Sequence, residues 1–142
     1  MVKPDSEEDN GTGRNQLVGN IGLYYVCYEL SRKGWNAMPT SRNARGIDVV
    51  IYNQIGSEMH TIQVKSLSHT TPVPFGNSLN TLIAEYIFIV NNVFDVPNLY
   101  IVDTPTAKPI IHEGTKNGKK SYWFQQKDYE QFKDNWGIIG NS

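Results

Sequence analysis

Asp48, Gln63 and Lys65 are the residues of this 142-residue chain whose types and spacing could do chemistry together. Gln63 and Lys65 stand two apart in TIQVKS, residues 61–66. In a strand they share one face with Thr61, while Ile62 and Val64 turn to the other. Asp48 lies in GIDVVIYN, an extended run joined to EMHTIQVKS by the turn-forming stretch QIGS. A two-residue turn at Ile55–Gly56 puts Asp48 directly opposite Gln63, with Lys65 on the diagonal; a turn shifted by one residue changes that pairing. A carboxylate and an amide oxygen are hard donors suited to Mg²⁺ or Mn²⁺, and magnesium keeps several waters and completes its shell with substrate phosphates. A bound ion of this kind makes a nucleophile of its water near neutral pH, and an adjacent ammonium offsets charge that builds on a phosphate. Gln63 leaves the site one negative charge poorer than a glutamate would, so metal binding is expected to lean on substrate phosphates. Singly, the residues have plainer uses. Asp48 could bond a backbone group at a strand start after Gly46, and Lys65 could guard a strand edge.

The elements that must position these residues are legible as patterns. From about Asn15 to Lys33, Val18, Ile21, Tyr25 and Tyr28 recur at helical spacing. Gly19 and Gly22 leave room for close packing on a sheet, and Gly34 supplies the stop, with Arg32 and Lys33 in the last turn. WNAMPT reads as a short strand closed by Pro39. Residues 67–80 hold two prolines and a glycine and read as a loop, followed by a short helical turn over 81–85. YIFIVNN is nearly all apolar, as in a central strand covered on both faces. NLYIVDT and SYWFQQ read as further strands, and a polar excursion between them turns at Asn117–Gly118. Tyr129, Phe132 and Trp136 space a closing helix over 128–136. The whole predicts an α/β fold with a mixed central sheet flanked by helices. Residues 1–14, acidic and carrying Pro4, Gly11 and Gly13, are expected to be a flexible arm before a single domain over 15–142.

Composition bounds the function. The net charge of −1 excludes a general nucleic-acid coat, so any DNA contact is a local patch. Basic residues cluster at Arg32–Lys33, at Arg42 and Arg45, and at Lys116, Lys119 and Lys120; each cluster alone also fits solvated surface charge. SRNAR, which feeds directly into Asp48, is placed to grip a phosphate backbone through Arg42 and Arg45, and Ser66 and Ser68 just past Lys65 are placed to do likewise. Cys27 is the one cysteine, which excludes an internal disulfide and a Cys/His metal site and makes the reducing cytoplasm the expected location. No stretch is long and apolar enough for a membrane span, and MVKPDSEEDN does not read as a secretory leader.

GIDVVIYN followed by TIQVKS, behind GNIGLYYVCYELSRKGW, resembles the PD-(D/E)XK nuclease superfamily. The resemblance is greatest to Mrr-type restriction endonucleases and small resolvase-like nucleases, where the last half-motif is often Q-x-K. It spans about a third of the chain and implies a restriction-endonuclease-like α-β-β-β-α-β core. It implies a metal-dependent endonuclease acting on DNA phosphodiester bonds, with Asp48 and Gln63 as Mg²⁺ or Mn²⁺ ligands and Lys65 catalytic. Those relatives usually carry a glutamate on the first helix about eleven residues before its closing glycine, and here that place holds Leu23. Glu29 on the same helix is the candidate substitute; it also reads as a surface glutamate beside Arg32 and Lys33. Leu23 and the near-neutral charge keep a second expectation open. This is a catalytically weak nuclease-fold module that binds DNA or protein within a defence or mobile-element system. Either way, specificity is expected to come from loops, a homodimer or a partner protein.

Overall fold

The computed structural model describes residues 12–41 and 45–142. Helix α1 runs Thr12–Arg32, so residues 12–14, expected in the arm, are helical. Gly34, at φ +93°, ends the helix: Trp35 N–H reaches back to Leu30 O at 3.0 Å, and Gly34 N–H to Ser31 O at 3.0 Å. Five strands form the main sheet: β1 (Asn36–Pro39), β2 (Val49–Tyr52), β3 (Met59–Ser66), β5 (Tyr86–Asn91) and β6 (Asn98–Asp103). Their spatial order is β1-β2-β3-β5-β6, with β3 and β5 parallel and the other pairs antiparallel. The sheet is mixed, as the pattern predicts. A second, antiparallel sheet has the order β4-β8-β7, from β4 (Val73–Gly76), β7 (His112–Lys116) and β8 (Lys119–Phe124).

Strand alternation builds two cores. Ile62, Phe88, Val90, Leu99 and Ile101 pack with Val26 and Leu30 of α1 on one face of the main sheet. Ile87, Ile89, Tyr100 and Val102 pack with Val73 and Phe124 of the second sheet on the other. β5 is therefore covered on both faces, which accounts for its uninterrupted apolar run.

Two expected helices are absent in the expected form. Residues 81–85 are turn and bend, so the parallel crossover from β3 to β5 carries β4 rather than a helix. The second face of the sheet is covered by the smaller sheet, where the sequence suggests helices. The closing segment is one α-turn, α3 (Gln126–Tyr129), continuing into a 3₁₀ turn over Glu130–Phe132, with a second 3₁₀ turn at Trp136–Ile139. Asp134 at φ +50° breaks it, because the chain turns there to bond Leu99 O through Asp134 N–H at 2.9 Å. A further short α-turn, α2 (Thr104–Ala107), follows β6. Among the described residues, no helix is long and apolar enough to cross a membrane.

Candidate active site

The β2–β3 register runs as far as Val49 opposite Ile62; Asp48, one residue outside the paired part, gives its N–H to Ile62 O and so does not carry the ladder on to Gln63. The register is that of a turn centred on Ile55–Gly56, but the loop is longer. Asn53 N–H pairs with Glu58 O at 3.1 Å, and the Asn53 side chain accepts from Glu58 N–H at 3.0 Å and donates to Ser57 at 2.9 Å. Any even loop centred there gives the same pairing. Two glycines seat the strands. Gly46 lies at φ +71°, and a Cβ on it would stand 2.3 Å from Thr81 O, so only glycine lets the chain enter β2 here. Gly22 lets α1 approach the end of β3: a Cβ there would stand 1.8 Å from Ser66 Oγ and 2.6 Å from Ser66 Cβ. Gly19 meets nothing within 4 Å and faces open space.

Among the described residues β2 pairs with β3 only as far as Ile62, so the last part of β3 has an open edge there. Asp48 sits at the start of that edge. Its Oδ2 accepts from Val64 N–H at 2.7 Å, while its own N–H donates to Ile62 O at 2.8 Å. The backbone bond weighed from sequence is therefore made, and it takes one carboxylate oxygen. N–H and C=O of one strand residue project to the same side. Val64 C=O and Ser66 N–H therefore point to this open edge too, while β5 pairs with the other side of β3.

The edge bounds a cavity of about 580 Å³. Asp48, Val64, Lys65 and Ser68 line it from the sheet and its loop, and Asn15, Asn20 and Leu23 from α1. Gln63 is not part of the lining; it lies one step back along β3, and its Oε1 is buried without a hydrogen-bond partner among the described residues. Lys65 is half-buried with Nζ 4.9 Å from the centroid of the Phe75 ring. Burial pushes its pKa down, and the Asp48 carboxylate opposes part of that shift.

Glu29 is not brought to this cavity. It pairs with Arg32 at 3.4 Å, six residues past Leu23, which is about 9 Å along the helix and on another side of it. Leu23 presents a hydrocarbon wall instead. Ser66 lines the cavity, but its side chain packs on Gly22. Arg45 is exposed and outside the lining, and Arg42 lies outside the described residues. Sequence reasoning missed Asn15 and Asn20, whose signal was two amides and a glycine interrupting the apolar pattern of α1. It also missed Tyr129, buried, whose hydroxyl donates to Thr71 O on the cavity loop at 2.8 Å and accepts from Asn91 at 3.2 Å.

The backbone is similar to that of a bacterial homing endonuclease, I-Ssp6803I, with a TM-score of 0.59 over 91% of this chain and 93% of that one. The fold is nuclease-like. At 12% identity the likeness extends to the fold alone. No protein-family model and no curated protein matches the chain in sequence.

Proposed function

We propose that the chain is a metal-dependent endonuclease of the PD-(D/E)XK type, acting on DNA phosphodiester bonds. One observation carries the reading: an acid, an open-edge carbonyl and an amine border one cavity, and among the described residues the same strand carries a buried amide oxygen, that of Gln63, with no partner. The donors fit a hard divalent cation. Asp48 offers the carboxylate oxygen not bonded to Val64 N–H, Gln63 its Oε1, and Val64 its carbonyl, all oxygens, as Mg²⁺ or Mn²⁺ prefers. Among the described residues there is no cluster of three His, Cys, Asp or Glu, so the proposed donors are one carboxylate and two neutral oxygens, and substrate phosphates would have to complete the shell. When bound, the ion supplies an acidified water and neutralises phosphate charge.

The chain's own residues do the rest. Lys65, seated over the Phe75 ring and within the field of the Asp48 carboxylate, places a cation where negative charge grows on the scissile phosphate. Ser66 N–H and the Ser68 hydroxyl offer donors to phosphate oxygens at the same edge, and Arg42 and Arg45 serve the flanking backbone. Val18 and Leu23 give the helix side of the cavity an apolar part beside the amides of Asn15 and Asn20. The protein acts in the cytoplasm, with specificity supplied by loops, a second copy or a partner.

Leu23 in the cavity wall favours a second reading, a binding module with weak catalysis, because among the described residues it leaves Asp48 the sole carboxylate of the lining. Incubation with supercoiled plasmid, single-stranded and branched DNA in Mg²⁺ or Mn²⁺ separates the two. Cuts that vanish in Lys65→Ala and Asp48→Ala support the endonuclease. Retarded DNA without cuts supports the binding module, and cuts that survive both substitutions belong to a contaminant.

A further inference from the structure

The hairpin of β7 and β8 has no part in the cavity, yet it breaks a rule of strand pairing. Lys116 and Lys119 are direct cross-strand partners, and like charges placed opposite each other are destabilising. The turn between them is tight: Asn117 at φ +53° and Gly118 at φ +75° make the two-residue loop that fits a twisted ribbon and fixes both lysines on one face. Lys120 lies on the other face and is already paired with Glu113 at 3.1 Å. Among the described residues, neither Lys116 nor Lys119 has an acidic partner.

The ribbon is also built to project. β4 pairs with β8 only over Tyr122–Phe124, so residues 115–121 have no third strand, and all are exposed. Those seven residues carry no large apolar side chain, so the ribbon is not a hydrophobic docking arm. Its other end lies beside a cavity residue. Pro74 lines the cavity and pairs with Trp123, which pairs with His112 on the same outer face. The Trp123 ring lies across Gly114, where a Cβ would stand 2.6 Å from it, and packs on His112 with ring centroids 4.4 Å apart. From Trp123 to Lys119 is four residues, about 13 Å of strand. A two-stranded ribbon is one of the two elements the major groove of B-DNA admits.

We infer that the β7–β8 ribbon is a second contact for double-stranded DNA, with Lys116 and Lys119 on phosphates and Trp123 joining the ribbon to the cavity. The inference rests on the proposed action on DNA. An anion between the two lysines removes their repulsion, so the pair is costly in the free protein and useful in the complex.

Binding of a fluorescein-labelled DNA duplex, followed by anisotropy in EDTA across a salt series, tests this without cleavage. Lys116→Glu is expected to raise the melting temperature, because it turns a like pair into an opposite one. The same variant is expected to weaken binding by about tenfold or more at about 0.1 M salt. Lys116→Ala with Lys119→Ala is expected to lower the slope of log affinity against log salt by about two, while Lys127→Ala on α3 leaves both quantities at wild-type values. If wild type binds and the ribbon variants keep its affinity and slope, the ribbon inference falls and the endonuclease reading stands. If wild type neither binds the duplex nor cuts DNA, both fall.

Discussion

Gly22→Ala tests the contact that places the helix wall beside Lys65. Within a helix, alanine is favoured over glycine by about 0.5–1 kcal/mol. At Gly19, where a Cβ meets nothing within 4 Å, that gain should appear as added stability. At Gly22 the new Cβ would stand 1.8 Å from Ser66 Oγ, and rotating the hydroxyl away does not help, because Ser66 Cβ itself is at 2.6 Å. The helix must lift from β3, and overpacking of this kind costs about 1–3 kcal/mol or more. The net expectation is a loss of about 1–2 kcal/mol, a fall in melting temperature of roughly 3–8 °C at this chain length. Ser66→Gly removes both clashing atoms, so the double variant should recover stability, with a coupling of about 1 kcal/mol or more between the sites. Thermal melts of the single and double variants, with Gly19→Ala alongside, read this directly. A Gly22→Ala protein that melts at or above wild type would show that α1 does not sit on Ser66, and the described cavity wall would be wrong.

Three further expectations follow from the site. Lys65 is held below its ordinary pKa by burial, so its charged form is a burden below the folded pKa that lifts as pH rises toward the unfolded value. The stability difference between wild type and Lys65→Met should therefore move in favour of wild type as pH rises through that alkaline window, while the buried tyrosines pull both proteins the other way; Lys65→Met should be the more stable at neutral pH, and the alkaline limb of wild-type cleavage should lie below that of an ordinary lysine. Glu29→Gln removes a partly exposed pair with Arg32, so it should change stability by no more than about 1 kcal/mol and leave cleavage rates at wild type. A Mg²⁺ titration of cleavage should shift to lower metal concentration in Gln63→Glu and to higher concentration in Gln63→Ala; identical titrations would remove Gln63 from the ligand set.

Much of the scaffold was legible because its signals are local. The stop at Gly34, the apolar run of β5, and the turn at Asn117–Gly118 each follow from a few adjacent residues. The β2–β3 register was legible as well, since it depends on the turn's centre and not on its length, but it ends at Val49–Ile62, short of the expected Asp48–Gln63 pair. What escaped depends on distant partners. Glu29 seemed available from helix spacing, but only the three-dimensional path of α1 shows that its second half leaves the cavity. Asn15 and Asn20 line the cavity on a helix that is seated on the end of β3 through Gly22, a contact between residues far apart in sequence. The helix expected over 81–85 gave way to a loop because the second sheet already covers that face of β5. Tyr129 read as generic core, and its bond to Thr71 spans 58 residues of sequence.

The most direct test is single-turnover cleavage of duplex DNA in Mg²⁺ by wild type, Lys65→Met and Asp48→Asn, each first shown to be folded and to bind the duplex. Asp48→Asn keeps an oxygen for Val64 N–H but loses the charge, so its fold should survive while its rate falls about 10³-fold or more. Lys65→Met should fall by about 10²–10³-fold. Folded, DNA-bound variants that cut at the wild-type rate would contradict the assignment of Asp48 and Lys65 to the chemistry.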